Sequence, residues 1–576
     1  MGAAGWSTKM PAPTLSRSGR VGPWYAAAVV VGSALIIVTA IKQPFSYDEL
    51  TQMAPYGSDS IREIVSATRQ PPLDPLLGAM FQHLLGEGQL RQRLVPVLAG
   101  IGTLVTMSLL LRGLRRGRAG AFGVWVLATA PLMVRYSAYT RPYALPLFLM
   151  MLFTYAAQQW LDQRRPRWLG MAAVAAVALP LARVPEPTVF LMVTTAALAW
   201  FSHRGRLSWS RTRPLIAVSL GALIVVGVPM YLLLQSKAHG FYDPSPSGVT
   251  SRFGSGVHEI ATYWVPNLAS WFPWWPITAL AIAATLALPY SRRQLFQSMA
   301  WWPLLAAPVT FVLAYHFLNP FPFESLPYRA RTASFFVPAY ILVIVSLASA
   351  VANGRVAARW LKVGLSVLLG GVLLGQLPAT ANIVLHNAAP DFGDVADVLT
   401  NELPDDAIVL YDRPTPAGQS RQPFLGTPRY MGETPYVETI VNLTERAGPI
   451  PTHGPVYVLI NGQCAAPGRC EPTTSPWEQD VPGWRIAYRI ERFTLYEPID
   501  GQDGRSGVLA ALRAFGDTLG PELGYIETFS AATLLQQEGR SAQGKKLIGR
   551  MYAQATSEVA ERISDAAEID HLDPYE

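Results

Sequence analysis

Cysteine and lysine are nearly absent from this 576-residue chain, and charge of any kind is thin. The only cysteines, Cys464 and Cys470, are too few for a zinc site; flanking a short Gly/Pro loop in a hydrophilic stretch, they suit a disulfide outside the cell or a coincidental thiol pair. Six lysines stand against forty arginines, which with the alanine-rich runs is the mark of a GC-rich bacterial genome. Charged residues make up 15% of the chain and hydrophobic ones 50%, with a mean hydropathy of +0.23. That excludes an ordinary soluble enzyme of this size and leaves a polytopic membrane protein. The net charge of +7 does not point to nucleic acid, because the basic residues fall in short clusters between apolar runs rather than in one stripe. No internal repeat is present. His83, His239, His258 and His316 show no metal-ligand spacing.

What the chain has in abundance is apolar runs. They lie near 24–41, 94–111, 119–134, 143–161, 168–182, 187–202, 214–234, 272–289, 299–315, 333–351 and 361–379, which predicts eleven spans. The first is about 18 residues, enough for a hydrocarbon core of roughly 30 Å. No small-residue cleavage site follows it, so it reads as a retained span rather than a signal peptide. If the spans alternate, Arg112/Arg115/Arg116/Arg118, Arg164/Arg165/Arg167, Arg204/Arg206/Arg211/Arg213, Arg292/Arg293 and Arg355/Arg359/Lys362 all fall on one side. With Lys9, Arg17 and Arg20 ahead of the first span, that side is the cytoplasm.

This topology organises the chain as a cytoplasmic N-terminus (1–23), a membrane domain (24–381) with a long first outer loop (42–91), and an extracytoplasmic tail (382–576). Within the tail, runs at 407–411, 456–460 and 484–496 are rich in β-branched and aromatic residues and bounded by Pro, Gly and Asp, the pattern of strands. A stretch at 532–567 has helical spacing. The fold class expected is therefore mostly α, with a C-terminal α/β domain. In the first outer loop, residues 60–67 and 75–85 read as short amphipathic pieces that lie in the interface and roof a site at the membrane surface.

The chemistry concentrates on the outer side. Asp48 and Glu49 follow the first span directly. Several arginines sit at outer span ends: Arg135, Arg141, Arg183, Arg329 and Arg331. Ionisable groups at membrane depth are costly and usually face a polar cavity or a partner. A guanidinium fork suits phosphate oxygens; the alternative is that these arginines snorkel to headgroups or pair with Asp48, Glu49, Glu186 and Glu324. A carboxylate that can take a proton from a hydroxyl, beside guanidinium groups that stabilise a departing phosphate, describes group transfer from a lipid phosphate carrier.

Four motifs occur in order: Ser46-Tyr47-Asp48-Glu49, Arg69-Gln70-Pro71-Pro72-Leu73, residues 90–96 leading into the second span, and Tyr136-Ser137-Ala138-Tyr139-Thr140-Arg141-Pro142-Tyr143. Together they resemble the GT-C superfamily of membrane glycosyltransferases, in particular the bacterial branch related to protein O-mannosyltransferases and lipid A aminoarabinose transferases (glycosyltransferase family 39-related). The resemblance covers roughly 24–350. It implies a GT-C fold, a polyprenyl-phosphate sugar as donor, an envelope glycan, lipid or protein as acceptor, and transfer with inversion at the outer face of the bacterial plasma membrane. Asp48 takes the place of the family's general base and Glu49 the second place of the acidic pair, while Arg69, Arg135, Arg141 and Arg331 are expected at the donor phosphate. Two departures stand out: Gln70 replaces a His or Lys before the paired prolines, and Tyr139 replaces a Glu. The resemblance leaves room for a divalent metal ion, for which these departures remove the obvious ligands. Other classes compatible with the composition are a lipid-carrier flippase or transporter, which the missing repeat argues against, and a catalytically inactive envelope scaffold. The tryptophans at 264, 271, 274 and 275 fit a sugar platform or, more simply, an interfacial belt.

Overall fold

The structure, a computed structural model, describes residues 21–43, 49, 52–67, 71–238, 275–296, 301–318, 334–385, 395–412, 436–439, 452–461, 480–490 and 493–555, apart from positions 87, 115, 357, 396–397, 400, 502 and 524. Cys464, Cys470, His239, His258 and the tryptophans at 264, 271 and 274 lie outside the described residues. The chain divides into two compact units, one made of 1–43 and 55–386, the other of 44–54 and 387–576.

The first unit is helical. Its elements are α1 (Gly22–Lys42), α2 (Ile61–Ala67), α3 (Leu73–Leu85), α4 (Gln89–Gln92), α5 (Leu94–Gly113), α6 (Gly117–Ala128), α7 (Pro131–Ser137), α8 (Ala144–Gln163), α9 (Pro166–Ala182), α10 (Pro185–His203), α11 (Trp209–Ala222), α12 (Val228–Ala238), α13 (Trp275–Ala287), α14 (Pro289–Phe296), α15 (Trp301–Leu318), α16 (Val337–Ala352) and α17 (Arg359–Leu385). A π-helical turn, Leu223–Gly227, joins α11 to α12. The described part of every apolar run read in the sequence falls on these helices and their junctions. Among the described residues six helices are long and apolar enough to cross a membrane, or seven when α6 and α7, bent by 56°, count as one span. The other four runs occupy α9, α10, α13 and α15, of 17, 19, 13 and 18 residues. Among the described residues, length and composition thus support six or seven of the eleven expected spans.

The bundle packs closely because small residues sit where helices meet. A Cβ on Gly100 would fall 2.3 Å from the Ser137 side chain, and one on Gly32 would fall 2.7 Å from Leu104, so α1, α5 and α7 approach to backbone distance. α5, α8 and α16 are mostly enclosed by protein, whereas the span from Trp209 to Ser236 is mostly turned outward. The break between α6 and α7 frees backbone carbonyls that lipid cannot satisfy. α17 supplies the donors: Gln376 Nε2 donates to the Val126 carbonyl at 2.8 Å and to Thr129 Oγ1 at 2.7 Å, and Thr380 Oγ1 donates to the Thr129 carbonyl at 2.7 Å.

The second unit is α/β. Strands β1 (Ile408–Asp412), β2 (Tyr436–Thr439), β3 (Val456–Asn461), β4 (Trp484–Ile490) and β5 (Phe493–Pro498) form one sheet in the order β2-β1-β3-β5-β4. β1 runs parallel to β2 and β3, while β5 is antiparallel to β3 and β4. Helices α18 (Gly504–Leu523), α19 (Tyr525–Gln537) and α20 (Ser541–Gln554) follow, and α18 packs on β1 and β3. Their core joins Ile408, Leu410, Val456, Val458, Trp484, Tyr496, Leu512, Phe515, Leu535 and Ile548.

Three details differ from the sequence expectation. The run at 484–496 is a hairpin of two strands, β2 had no sequence signal strong enough to find it, and helix begins at Gly504 rather than near 532. Gly507, Gly516 and Gly520 depress the local helix propensity of α18, yet burial of Val508, Leu512 and Phe515 against the sheet outweighs it. The long helical stretch is also cut at Gly539, whose φ of 74° ends α19 in a left-handed turn.

Candidate functional site

Hydrogen bonds sort the ends of the helical unit into two sets. At one end, Arg93 Nη1 donates to the carbonyls of Ala40 and Gln43 at 2.9 and 2.5 Å, joining the α4–α5 junction to the end of α1. Gln43 Nε2 donates to the Ile383 carbonyl of α17 at 2.6 Å, and Thr140 Oγ1, in the α7–α8 turn, donates to the Gln92 carbonyl at 3.4 Å. The Arg183 guanidinium, in the α9–α10 turn, lies 5.3 Å over the Tyr143 ring. This end therefore gathers the first loop, the α7–α8 turn, the α9–α10 turn and the end of α17.

The opposite end carries the dense basic loops. Tyr25 OH donates to the Gly117 carbonyl at 3.1 Å, Arg211 Nη1 to the Leu161 carbonyl at 3.0 Å, and Arg164 Nη2 to Ser210 Oγ at 3.2 Å. Arg112, Arg116, Arg164, Arg165, Arg204, Arg211, Arg355 and Arg359 all cap or flank helices there.

At the first-loop end the motif 136–143 forms a tight turn. Arg141 N–H donates to the Tyr139 carbonyl and Tyr143 N–H to the Arg141 carbonyl, each at 2.7 Å. Tyr136, Tyr139 and Tyr143 pack ring on ring, with centroids 5.2 to 6.4 Å apart, which stiffens the turn. Arg141 is half-buried on it, whereas Arg135, one helical turn earlier, is exposed with its guanidinium 6.0 Å over the Tyr136 ring. Of the predicted phosphate contacts, Arg135 lies in the last turn of α7 and Arg141 in the α7–α8 turn. Arg69 and Arg331 lie outside the described residues, as does Asp48. Glu49 is buried, at 1% exposure, and belongs to the second unit.

The alternative reading of the outer arginines holds for Arg183, whose Nε donates to Glu186 Oε2 at 2.6 Å in a buried ion pair. His83 is exposed, with Nε2 3.2 Å from the Ser58 carbonyl. Two buried groups escaped sequence reasoning. Asp74, the second residue of α3 and two positions after the paired prolines, lies where a carboxylate suits the positive end of a helix dipole, and is 1% exposed. Arg93 stands inside the quoted motif before the second span and is wholly buried. The signal for both was placement: a charged residue within one turn of a predicted span or helix start. Among the described residues no three His, Cys, Asp or Glu side chains come together as a metal site.

Residues 69–231 match the family model described as dolichyl-phosphate-mannose-protein mannosyltransferase. From the Arg69-Gln70-Pro71-Pro72 motif into α12, this stretch thus resembles that mannosyltransferase family. Among solved structures it is similar to ArnT from Cupriavidus metallidurans bound to undecaprenyl phosphate, at 15% identity over 83% of this chain and 98% of that one, with a TM-score of 0.48. The apo state of the same ArnT is similar at 15% identity over 82% and 97% of the two chains, with a TM-score of 0.49. No curated protein matches the sequence.

Proposed function

We propose that this chain is an inverting glycosyltransferase that moves a sugar from a polyprenyl-phosphate donor to an envelope glycan, lipid or protein at the extracytoplasmic face of a bacterial plasma membrane. The observation that carries this reading is the mannosyltransferase-family match across 69–231, which includes Arg135 and Arg141. The orientation is supported by the basic residues massed at the opposite end of the helices, since positive loops stay cytoplasmic.

In this reading Asp48 takes the proton of the acceptor hydroxyl as its oxygen attacks the anomeric carbon. The bond from that carbon to the phosphate oxygen breaks, and its electron pair leaves on the polyprenyl phosphate. Arg69, Arg135, Arg141 and Arg331 offset the charge that develops there, and Glu49 orients the acceptor or a basic side chain. One base and a stabilised leaving group suffice, so no covalent sugar–enzyme intermediate forms.

The test is release of free polyprenyl phosphate, followed by mass spectrometry, when the purified protein and its Asp48→Asn variant meet a panel of polyprenyl-phosphate sugars with envelope acceptors. Release by the wild type and its loss in folded Asp48→Asn is the expected result. Full activity in Asp48→Asn removes Asp48 as base; sugar-carrier movement across vesicles with no release moves the protein to the transporters.

A further inference from the structure

We infer that the buried Arg183–Glu186 pair is a clamp that holds Arg141 in place through Tyr143, with Arg183 as a positioning residue for the phosphate contact. The inference rests on the transfer reading above and adds a residue to it.

Arg183 closes α9, its N–H bonded to the Leu179 carbonyl at 3.0 Å, and α9 packs along α8. The α9–α10 turn is set in this way beside the start of α8, where Tyr143 lies. An arginine at a helix end can run out to headgroups, but this one stays inside: Nε donates to Glu186 Oε2 at 2.6 Å, and both side chains are buried. With its charge offset there, the guanidinium lies 5.3 Å over the Tyr143 ring, a cation–π contact that strengthens where water is excluded. A planar cation held along one edge by a carboxylate has little freedom to leave that ring.

Tyr143 passes the constraint on. Its N–H donates to the Arg141 carbonyl at 2.7 Å, and the Arg141 N–H donates to the Tyr139 carbonyl at 2.7 Å. The Tyr143 ring meets Tyr136 edge-on at 5.2 Å and stacks on Tyr139 at 6.4 Å. Both of these backbone bonds of Arg141 therefore run to tyrosines of one packed cluster, the cluster on which Arg183 rests. Arg183 is only 8% exposed, whereas Arg141 keeps surface to offer a phosphate. A buried ion pair adds little net stability over apolar residues of the same volume. Keeping a flat cation over Tyr143, and so the Arg141 turn in one arrangement, is what apolar residues there would not supply.

The test measures binding of undecaprenyl phosphate to the full-length protein in detergent. The variants are the paired replacement Arg183→Met/Glu186→Leu, which removes both charges together, Arg141→Ala, and all three changes combined. The paired replacement is expected to weaken binding by roughly threefold to tenfold. In the Arg141→Ala background it is expected to change binding little, because it acts through Arg141. Arg183→Lys, which keeps the charge but not the planar fork, retains part of the wild-type affinity. In hydrogen exchange, the paired replacement speeds exchange of the amides of Arg141 and Tyr143 and leaves α16 protected. An equal loss of affinity in both backgrounds would make Arg183 itself a phosphate contact, and wild-type exchange at those two amides would make the pair merely structural; either overturns the proposal. If the paired replacement does not fold, Tyr143→Leu, which removes the ring that Arg183 covers, takes its place in the same cycle with the same outcomes. Exchange is read without ligand, so a protein that binds no undecaprenyl phosphate fails the transfer reading while its exchange still decides the clamp.

Discussion

Arg183 and Glu186 form an ion pair across the α9–α10 turn, Nε to Oε2 at 2.6 Å, with 10% and 6% of the two side chains exposed. The carboxylate sits in the first turn of α10, at the positive end of its dipole, and the guanidinium covers Tyr143 at the start of α8. One pair thereby ties two turns together at the end of the bundle that carries Arg141. Glu186→Gln leaves a buried guanidinium facing an uncharged amide and is expected to destabilise the protein by about 3–5 kcal/mol. Replacing both residues with apolar ones of similar volume costs less, a contrast that thermal unfolding of the purified variants in detergent will show.

Gly78 in α3 lies against the ring of Tyr56, where an added Cβ would come within 2.3 Å of ring carbons. Tyr56 is fully buried, so the ring has nowhere to go. Gly78→Ala gains helix propensity of about 1 kcal/mol and still destabilises, by about 1–3 kcal/mol of overpacking. Limited proteolysis of the first loop is the sensitive measurement, with faster cleavage in the variant expected.

Gln376→Leu keeps the size and apolar character of α17 while deleting the two donors that serve the α6–α7 break. The loss expected is about 1–3 kcal/mol, the cost of a buried acceptor left unmade. A variant as stable as wild type in unfolding assays would mean that the break relaxes to bond itself.

Arg141, in the α7–α8 turn, and Arg135, in the last turn of α7, differ in burial. The half-buried Arg141 works in a lower effective dielectric, where its attraction for a phosphate is stronger. Arg141→Ala is expected to weaken binding of polyprenyl phosphate by tenfold or more, about 1.4 kcal/mol, and Arg135→Ala by less. Titration with polyprenyl phosphate at two salt concentrations checks the order, since the exposed site is the more screened.

Much of the helical unit was legible because hydrophobic runs and loop charge answer to the bilayer, which acts on a sequence locally. The motif at 136–143 was legible as a turn between spans for the same reason. The break within the third run was not, although Pro131 marks it, because hydropathy is blind to a 56° bend. In the second unit β1 and β3 were readable from their β-branched runs. β2, with four residues, and the glycine-rich α18 were not, since their conformations depend on burial against partners distant in the chain.

For the site, composition and order alone pointed to acids and arginines at the span ends away from the basic loops, because charge cannot rest within lipid. Which arginine does what was decided by tertiary structure. Arg183 turns to Glu186 three residues away, Arg93 is drawn wholly inside to close the end of α1, and Arg141 stays half-buried on a turn stiffened by three tyrosines. The physical reason is that a guanidinium's role is set by the acceptors within about 3 Å of it, and those acceptors are backbone carbonyls and carboxylates whose positions exist only once the helices have packed.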